Sequence, residues 1–532
     1  MQTVSADFIT ETTAPKRNLT SDVLVSWLKN YNASADFFTI GQSGIGDGDF
    51  IKGAGDDVTF FQLYDYELET DNLIAMSISK MIGQFPYGVM TAQADLILSN
   101  VSKRYLPEFD PDIGDSIKAG RPIALNIGFS SESIEQFIGF SDRPINTLVN
   151  RETSIHAYDA MEYLNNVESE LGIITDTPWN EIIESLLDEQ GFSSSQYNIE
   201  PSLQPNIQFL STTGKKVGSI FRQGCEAEQY IIFVDEYGII QGWNRGHIHV
   251  NSDSQWSFDY SNVKEISYID TPIINHVRVL AKPRAEATAQ VVWQSAIPIA
   301  VAPGEVRRYA IEFFDENGLL PIVSAETPSY NANDATLDSY YQTNLSEDGT
   351  GEAGNSNITM SDFDLLGETA FVEFTNSSTS NVVYITKLSI WGVPAKIRQV
   401  IDYEYKDQTS IDDNGRNPSI AGEILSIDND YIQDQAVAEY IAQTMVEEYK
   451  DGSQQIKFEP FAIPQLQFGD VVSLEIEDTS ETKAMVVVGN NYSFTGEGGL
   501  THDVYSEERN LIDQFFTIGV SAIEGPDAIS PL

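Results

Sequence analysis

Between Thr91 and Pro144 the chain reads TAQADLILSNVSKRYLPEFDPDIGDSIKAGRPIALNIGFSSESIEQFIGFSDRP, a stretch that admits few folds. Ala94–Leu98 alternates polar and apolar residues, the period of a half-buried strand. Pro107, Pro111, Gly114 and Gly120 punctuate the connection that follows and exclude helix there. Arg121–Phe129 predicts a second strand with Ile123, Leu125 and Ile127 on one face. Ser130–Ser133 has turn chemistry, and Ile134–Phe140 predicts a third strand. A parallel sheet would need a helical period between strands, and none is present. The stretch therefore predicts an antiparallel barrel or sandwich.

A chain of 532 residues exceeds one core and predicts three or four domains. Its 80 acidic and 30 basic residues give a formal charge of -50. That balance argues against phosphate-mediated nucleic-acid binding and against adhesion to an anionic membrane. It is compatible with a basic protein partner, or with a surface that repels nucleic acid. The lone Cys225 excludes an intrachain disulfide and a cysteine-rich metal site, and its place in an apolar helical stripe predicts a buried structural thiol. The first residues, MQTVSADFIT, have neither the basic region nor the apolar core of a signal peptide, and no apolar run is long enough to span a bilayer. Synthesis and folding in a cytoplasm are expected.

In chain order, residues 1–19 predict an arm and 20–154 a mainly β domain. Within it Asp22–Trp27, Val58–Leu63 and Ile74–Ser79 read as strands, Phe37–Ile51 as a loop and Gly83–Tyr87 as a turn. From Ile155 the period turns helical. A second helix is expected after Thr177 as N-cap with Pro178 in its first turn, ending at Gly191. A third spans Lys215–Tyr230, and a hairpin follows around Asp235-Glu236-Tyr237-Gly238. Residues 155–264 thus form a small α+β domain. A second β domain is expected from 265–302 with 396–510. It includes strands at Glu265–Tyr268, Asn275–Leu280 and Gln290–Ala302, a helix at Asp434–Lys450, and hairpin strands Ala484–Val488 and Asn490–Thr495. Between its two parts, 303–395 is rich in Ser, Thr, Asn and Asp and predicts an inserted β-sandwich. Residues 511–532 predict an extended tail. The fold class is α+β, mainly β.

Candidate chemistry is sparse. His247 and His249 would share one face of a strand, a two-His zinc spacing, but the chain has only five histidines to supply a third ligand. Asp47-Gly48-Asp49, Asp412-Asp413-Asn414-Gly415 and Asp428-Asn429-Asp430 resemble fragments of calcium loops without the closing bidentate Glu, and turn chemistry explains each. There is no G-x-x-x-x-G-K-S/T, no strand–G-x-G-x-x-G–helix unit, no Gly-x-Ser-x-Gly and no His-Glu-x-x-His. Trp243, Trp256, Trp293 and Trp391 sit in or beside strands, where packing is the commoner use than sugar stacking. No catalytic, cofactor-binding or metal residue is assigned, and no enzyme activity is expected.

Three stretches, taken in order, resemble tail-tip hub proteins (minor tail proteins) of tailed bacteriophages, which are related to central baseplate hubs. The first is Ala94-Asp95-Leu96-Ile97-Leu98-Ser99-Asn100, then Arg104-Tyr105-Leu106-Pro107 and Ala119-Gly120-Arg121-Pro122-Ile123, closing with Phe137-Ile138-Gly139-Phe140. Ala119 stands where such proteins frequently have proline. The second is the helix–hairpin unit ending Phe233-Val234-Asp235-Glu236-Tyr237-Gly238. The third is Ala436–Tyr449 with Pro464-Gln465-Leu466-Gln467-Phe468-Gly469-Asp470-Val471-Val472. The resemblance implies two tube-type β-barrel domains per chain and a structural virion protein at the tail tip, assembled in the host cytoplasm. Three chains would form a homotrimer that continues the six-fold tube and lets DNA pass. Partners would be distal-tail and tube proteins, tail fibre or tip proteins and a tape-measure protein in the lumen. The alternatives are a host-recognition protein whose inserted sandwich binds carbohydrate, and a distal-tail ring protein.

Overall fold

The computed structural model describes residues 1–508 apart from 14–18, 28–65, 83–86, 108, 130–131, 251–253, 260, 270–271, 317, 332–338, 453–454, 477–480 and 496–498. The Phe37–Ile51 loop, the Val58–Leu63 strand, Asp47–Asp49, most of the Gly83–Tyr87 turn and the 511–532 tail lie outside the described residues. The structure is mainly β with a smaller helical part.

Its first sheet runs, edge to edge, Leu19–Val25, Pro122–Phe129, Glu132–Ser141, Glu152–Tyr158, Gly88–Ser99 and Leu73–Ile82, all antiparallel. Pro122–Phe129 is buried on both faces. Ile123, Leu125 and Ile127 enter an inner core with Trp27, Leu96 and Tyr105, while Ala124 enters a different core on the opposite side. That double burial is why the run reads almost continuously apolar; each fully buried Ile or Leu contributes about 1.5–3 kcal/mol.

Helix does not begin at Ile155. The strand continues to Tyr158, with Ile155 and Ala157 buried and alternating with His156 and Tyr158. Asp159 then caps the helix Ala160–Asn166, accepting hydrogen bonds from the Met161 amide at 3.0 Å and the Ala92 amide at 2.7 Å. The next helix, Trp179–Glu189, has Pro178 rather than Thr177 at its N-cap; Thr177 ends the strand Ile173–Thr177. Its stripe of Ile182, Ile183, Leu186 and Leu187 packs with Phe221 and Cys225 of the helix Val217–Glu228 against Ala124 and Ile138 on the outer face of the first sheet.

The strand His276–Ala281 joins neither of the two long sheets. It pairs with Ile401–Lys406 and Leu425–Asp428, and the helix Gln435–Tyr449 covers this three-stranded sheet through Val437, Ile441 and Val446. The expected strands in Gln290–Ala302 also pair elsewhere. Arg284–Glu286, Gln290–Gln294 and Ile299–Val301 all bond to the long strand Val383–Ile397, so they belong to the sandwich sheets. The facing layer is Val306–Glu312, Thr369–Asn376 and Ile358–Leu365, with Ile311, Val372, Phe374 and Ile385 between the layers.

The second long sheet runs Val263–Ile269, Gln455–Pro460, Gly499–Glu508, Glu481–Thr495, Val471–Ile476 and Trp256–Phe258. Ala484–Val488 and Asn490–Thr495 are not two arms of a hairpin. They are one strand, Glu481–Thr495, and Gly489 marks a bulge opposite Tyr505 where the register shifts instead of a turn.

Candidate assembly site: the seam between the two sheets

The two long sheets are joined edge to edge. Ala75–Met81 pairs antiparallel with Gly489–Thr495 over seven residues, so hydrogen bonding continues from one sheet into the other. The hairpin Tyr230–Val234/Ile240–Asn244 docks beside this seam, with Ile231 and Ile232 in parallel register with Gly88 and Val89. A small core seals the junction. Met90 of the first sheet, Ile231 and Phe233 of the hairpin, and Phe468, Val471, Val486 and Val488 of the second sheet pack together, with Trp243 against them.

The polar contacts at the seam join motif residues, Glu236 and Gln467, to residues outside the motifs, Lys80 and Gln136. Lys80 lies on the seam strand opposite Asn490, and its ammonium pairs with Glu236 at the hairpin tip at 2.8 Å. Both side chains are buried, at 5% and 7% exposure. Gln467 donates its side-chain amide to the other Glu236 oxygen at 2.8 Å. Burial pushes the Glu236 carboxyl up, but the Lys80 charge and the two hydrogen bonds outweigh it and hold it below the usual range. Gln136, one residue before Phe137-Ile138-Gly139-Phe140, donates to the Pro464 carbonyl at 2.8 Å. Gly469 has φ +81°, and a Cβ there would stand 2.5 Å from the Trp243 ring, so the turn needs glycine twice over. The N-terminal residues cross the same junction, the Gln2 side chain donating to the Glu135 carbonyl and its backbone amide to the Gln465 carbonyl.

Arg104-Tyr105 serves a second buried carboxylate. Glu69, 1% exposed, accepts from the Trp27 indole at 2.7 Å, the Tyr105 hydroxyl at 2.5 Å, the Asn72 amide at 3.0 Å and the Arg104 guanidinium at 3.1 Å. Four donors on one carboxylate fix the loop that closes this end of the first sheet. Beyond it the two flanking loops expose apolar side chains among charged ones. Val101, Phe109 and Ile145 are exposed, and Leu148 and Val149 are 77% and 92% exposed at the tip leading into Glu152–Tyr158. The Asn100 and Asn146 side chains hold the two loops side by side at 2.9 Å.

The other candidates fall away from any common centre. His247 lies on a short helix, Arg245–Val250, not a strand. It bonds Glu200 at 2.6 Å and stacks on Trp243 at 3.9 Å. Asp412–Gly415 ends the helix Gln408–Asn414, with Gly415 at φ +83°. Asp428 and Asp430 both pair with Lys282, at 2.5 and 2.7 Å. Among the described residues no group of three His, Cys, Asp or Glu is placed to hold a metal ion. Trp243 packs in the seam core, Trp256 against the second-sheet core, and Trp293 lies tilted against Tyr309 at 6.1 Å. Burial pushes the Cys225 thiol well up, away from the thiolate. Among the described residues no helix is long and apolar enough to cross a membrane. Sequence reasoning missed Lys80, Glu69 and Gln136. A charged or amide residue inside an otherwise strand-like run was the available signal for Lys80 and Gln136; Glu69, at the start of the turn Thr70–Asn72, carried none.

No protein-family model matches the chain, and no curated protein matches it. Among solved structures it is similar to a 43 kDa tail protein of prophage MuSo2 from Shewanella oneidensis, at 9% identity and TM-score 0.42, over 83% of this chain and 95% of that one. A tail protein from Neisseria meningitidis MC58 is similar at 9% identity and TM-score 0.44, over 84% and 94% of the two chains. A prophage tail protein from Listeria monocytogenes EGD-e is similar at 8% identity and TM-score 0.40, over 85% and 94%.

Proposed function

We propose that this chain is a structural protein of a phage tail, a hub at the tail tip in which three copies close a ring around a central passage for DNA. The observation that carries the reading is the seam, where two antiparallel sheets of one chain pair edge to edge through Ala75–Met81 and Gly489–Thr495. A chain that already splices two sheets side by side supplies two neighbouring segments of a ring, and three chains supply six. Two further features support it. Val263–Ile269, at the far side of the second sheet, bonds only to Gln455–Pro460 among the described residues and leaves an edge for a neighbour. The exposed apolar side chains at the end of the first sheet, with Leu148 and Val149 at its tip, are the kind of surface that assembly covers.

In this reading the hairpin and Pro464–Val472 stretches maintain the seam and Arg104-Tyr105 fixes the loop at the end of the first sheet. The chain's charge of -50 suits a passage that must not hold DNA. In the ring the helices from Ala160 to Glu228 and the inserted sandwich would lie to the outside, where distal-tail and tip proteins would meet them. Mass photometry and electron microscopy of the full chain test the reading. A three-fold ring with a central opening is expected. A chain that stays monomeric at every concentration, including in the presence of tube protein, refutes the hub, and a six-membered ring moves the assignment to the distal-tail ring.

A further inference from the structure

The inserted sandwich, Arg284 to Ile397, has its own apolar core, and among the described residues none of that core belongs to the rest of the chain. Its two stems leave side by side. Arg284 pairs with Ile397, and the Arg398 amide donates to the Pro283 carbonyl at 2.9 Å. Beyond the stems, one turn of the sandwich reaches back to the body. Gly367, at φ +76°, sits so close to Ser211 that a Cβ would stand 2.9 Å from its hydroxyl oxygen. Next to it Glu368 pairs with Lys215 at 3.3 Å. Between turn and stems lies a cleft of about 320 Å³ whose polar lining is Lys215, Lys282, Arg284, Asp315, Glu368 and Asp430. Its charges cross-pair: Lys282 with Asp430 at 2.7 Å and Arg284 with Asp430 at 3.8 Å.

From the absence of a shared core and the ionic lining of this cleft, we propose that the sandwich is an arm hinged at Lys282–Arg284 and Ile397–Val400, and that the Gly367–Glu368 turn is an electrostatic catch holding it against Ser211 and Lys215. Apolar interfaces between domains resist motion; small polar ones permit it. The catch has one ion pair, with Lys215 36% and Glu368 10% exposed, and one glycine seat, which is enough to bias a position but not to lock it. Screening decides its strength. The Debye length falls from about 10 Å at 0.1 M salt to about 3 Å at 1 M, so the long-range attraction across the cleft fades while the apolar cores on either side persist. The open arm would carry the sandwich outward on its stems, changing the reach of the chain without unfolding any part of it.

Small-angle scattering of the full chain from low to molar salt, with hydrogen exchange read at Ile207–Ser211 and at 366–369, tests this. Expected is a salt-dependent rise in radius of gyration, with a several-fold loss of protection confined to those two segments. Glu368→Lys should be open already at low salt. Ser211→Cys with Gly367→Cys should lock the arm when oxidised and free it on reduction, since the Gly367 Cβ position lies 3.6 Å from the Ser211 Cβ, within disulfide range. Identical scattering and exchange for the wild type at all salts and for folded Glu368→Lys would overturn the hinge. If the double-cysteine variant does not fold, the comparison of wild type with Glu368→Lys decides alone.

Discussion

Replacing Lys80 by Met removes a charge while keeping a long side chain in the seam strand, and it tests the central claim about the junction. The Lys80–Glu236 pair is buried and 2.8 Å apart. Its Coulomb attraction is roughly 6 kcal/mol at an effective dielectric of 20, most of which offsets the cost of taking both ions out of water. Lys80→Met leaves the Glu236 carboxylate buried with the Gln467 amide as its side-chain donor, so the variant should lose about 3–5 kcal/mol. Glu236→Leu should lose a similar amount by stranding the ammonium. The double variant Lys80→Met/Glu236→Leu should recover much of it, giving a coupling energy of about 2–4 kcal/mol. Several domains unfold in this chain, so the readout should be local: denaturant-dependent hydrogen exchange of the Ala75–Met81 amides, which report opening of the seam. A loss below about 1 kcal/mol in Lys80→Met, with a double variant no better than the sum of the singles, would mean that the pair does not hold the hairpin to the seam.

Glu228 is buried against Ser202, and burial pushes its carboxyl from 4.5 up to about 8. Its contribution to stability is therefore complete below pH 4.5 and lost as pH rises through about 8, with an upper bound of about 5 kcal/mol; Glu228→Gln should flatten this part of a pH-melting series. His502 has the opposite sign. Burial lowers it from 6.5 to about 3, so its contribution is present above pH 6.5 and lost as pH falls toward 3, and His502→Asn should blunt acid destabilisation of the second sheet. Glu69→Ala should cost about 3–5 kcal/mol in chemical denaturation by leaving the Trp27, Tyr105 and Arg104 donors unpaired. Gly469→Ala should cost roughly 2–4 kcal/mol through backbone strain and its clash with Trp243, read as a lower melting temperature. Leu148→Asp with Val149→Asp should leave the melting temperature of the isolated chain within about 2 °C while weakening assembly in mass photometry.

Strand existence was legible where one face is buried, because alternation is a local signal. Glu132–Ser141 lies close to its expected place for that reason, and the helix Gln435–Tyr449 does so because its apolar stripe repeats at the helical period. Partnership was not legible. Nothing local in Gln290–Gln294 says that it pairs with Val383–Ile397 a hundred residues later, and nothing in His276–Ala281 distinguishes a long sheet from a three-stranded one. Gly489 misled because a glycine between two strand-like runs reads equally as a turn or a bulge, and only the partner strand selects between them. The seam was half visible. Its motif stretches stood out in order along the sequence, but that Glu236, Gln467 and Lys80 converge on one buried contact depends on three elements brought together by the fold.

The seam also sets a timetable for synthesis. Leu73–Ile82 emerges early, but its partner Glu481–Thr495 follows roughly 400 residues later, a delay of about 20–80 s at ordinary translation rates. Throughout that interval the first sheet presents an unpaired edge, the template for aggregation with other nascent chains. Ser77, Ser79 and Lys80 lie along that edge. An ammonium on an unpaired edge strand repels strand addition by a like copy while the chain is still growing. Once the hairpin tip and the last strands arrive, the same ammonium is buried against Glu236, so one side chain guards the edge before the sheet is complete and fastens it afterwards.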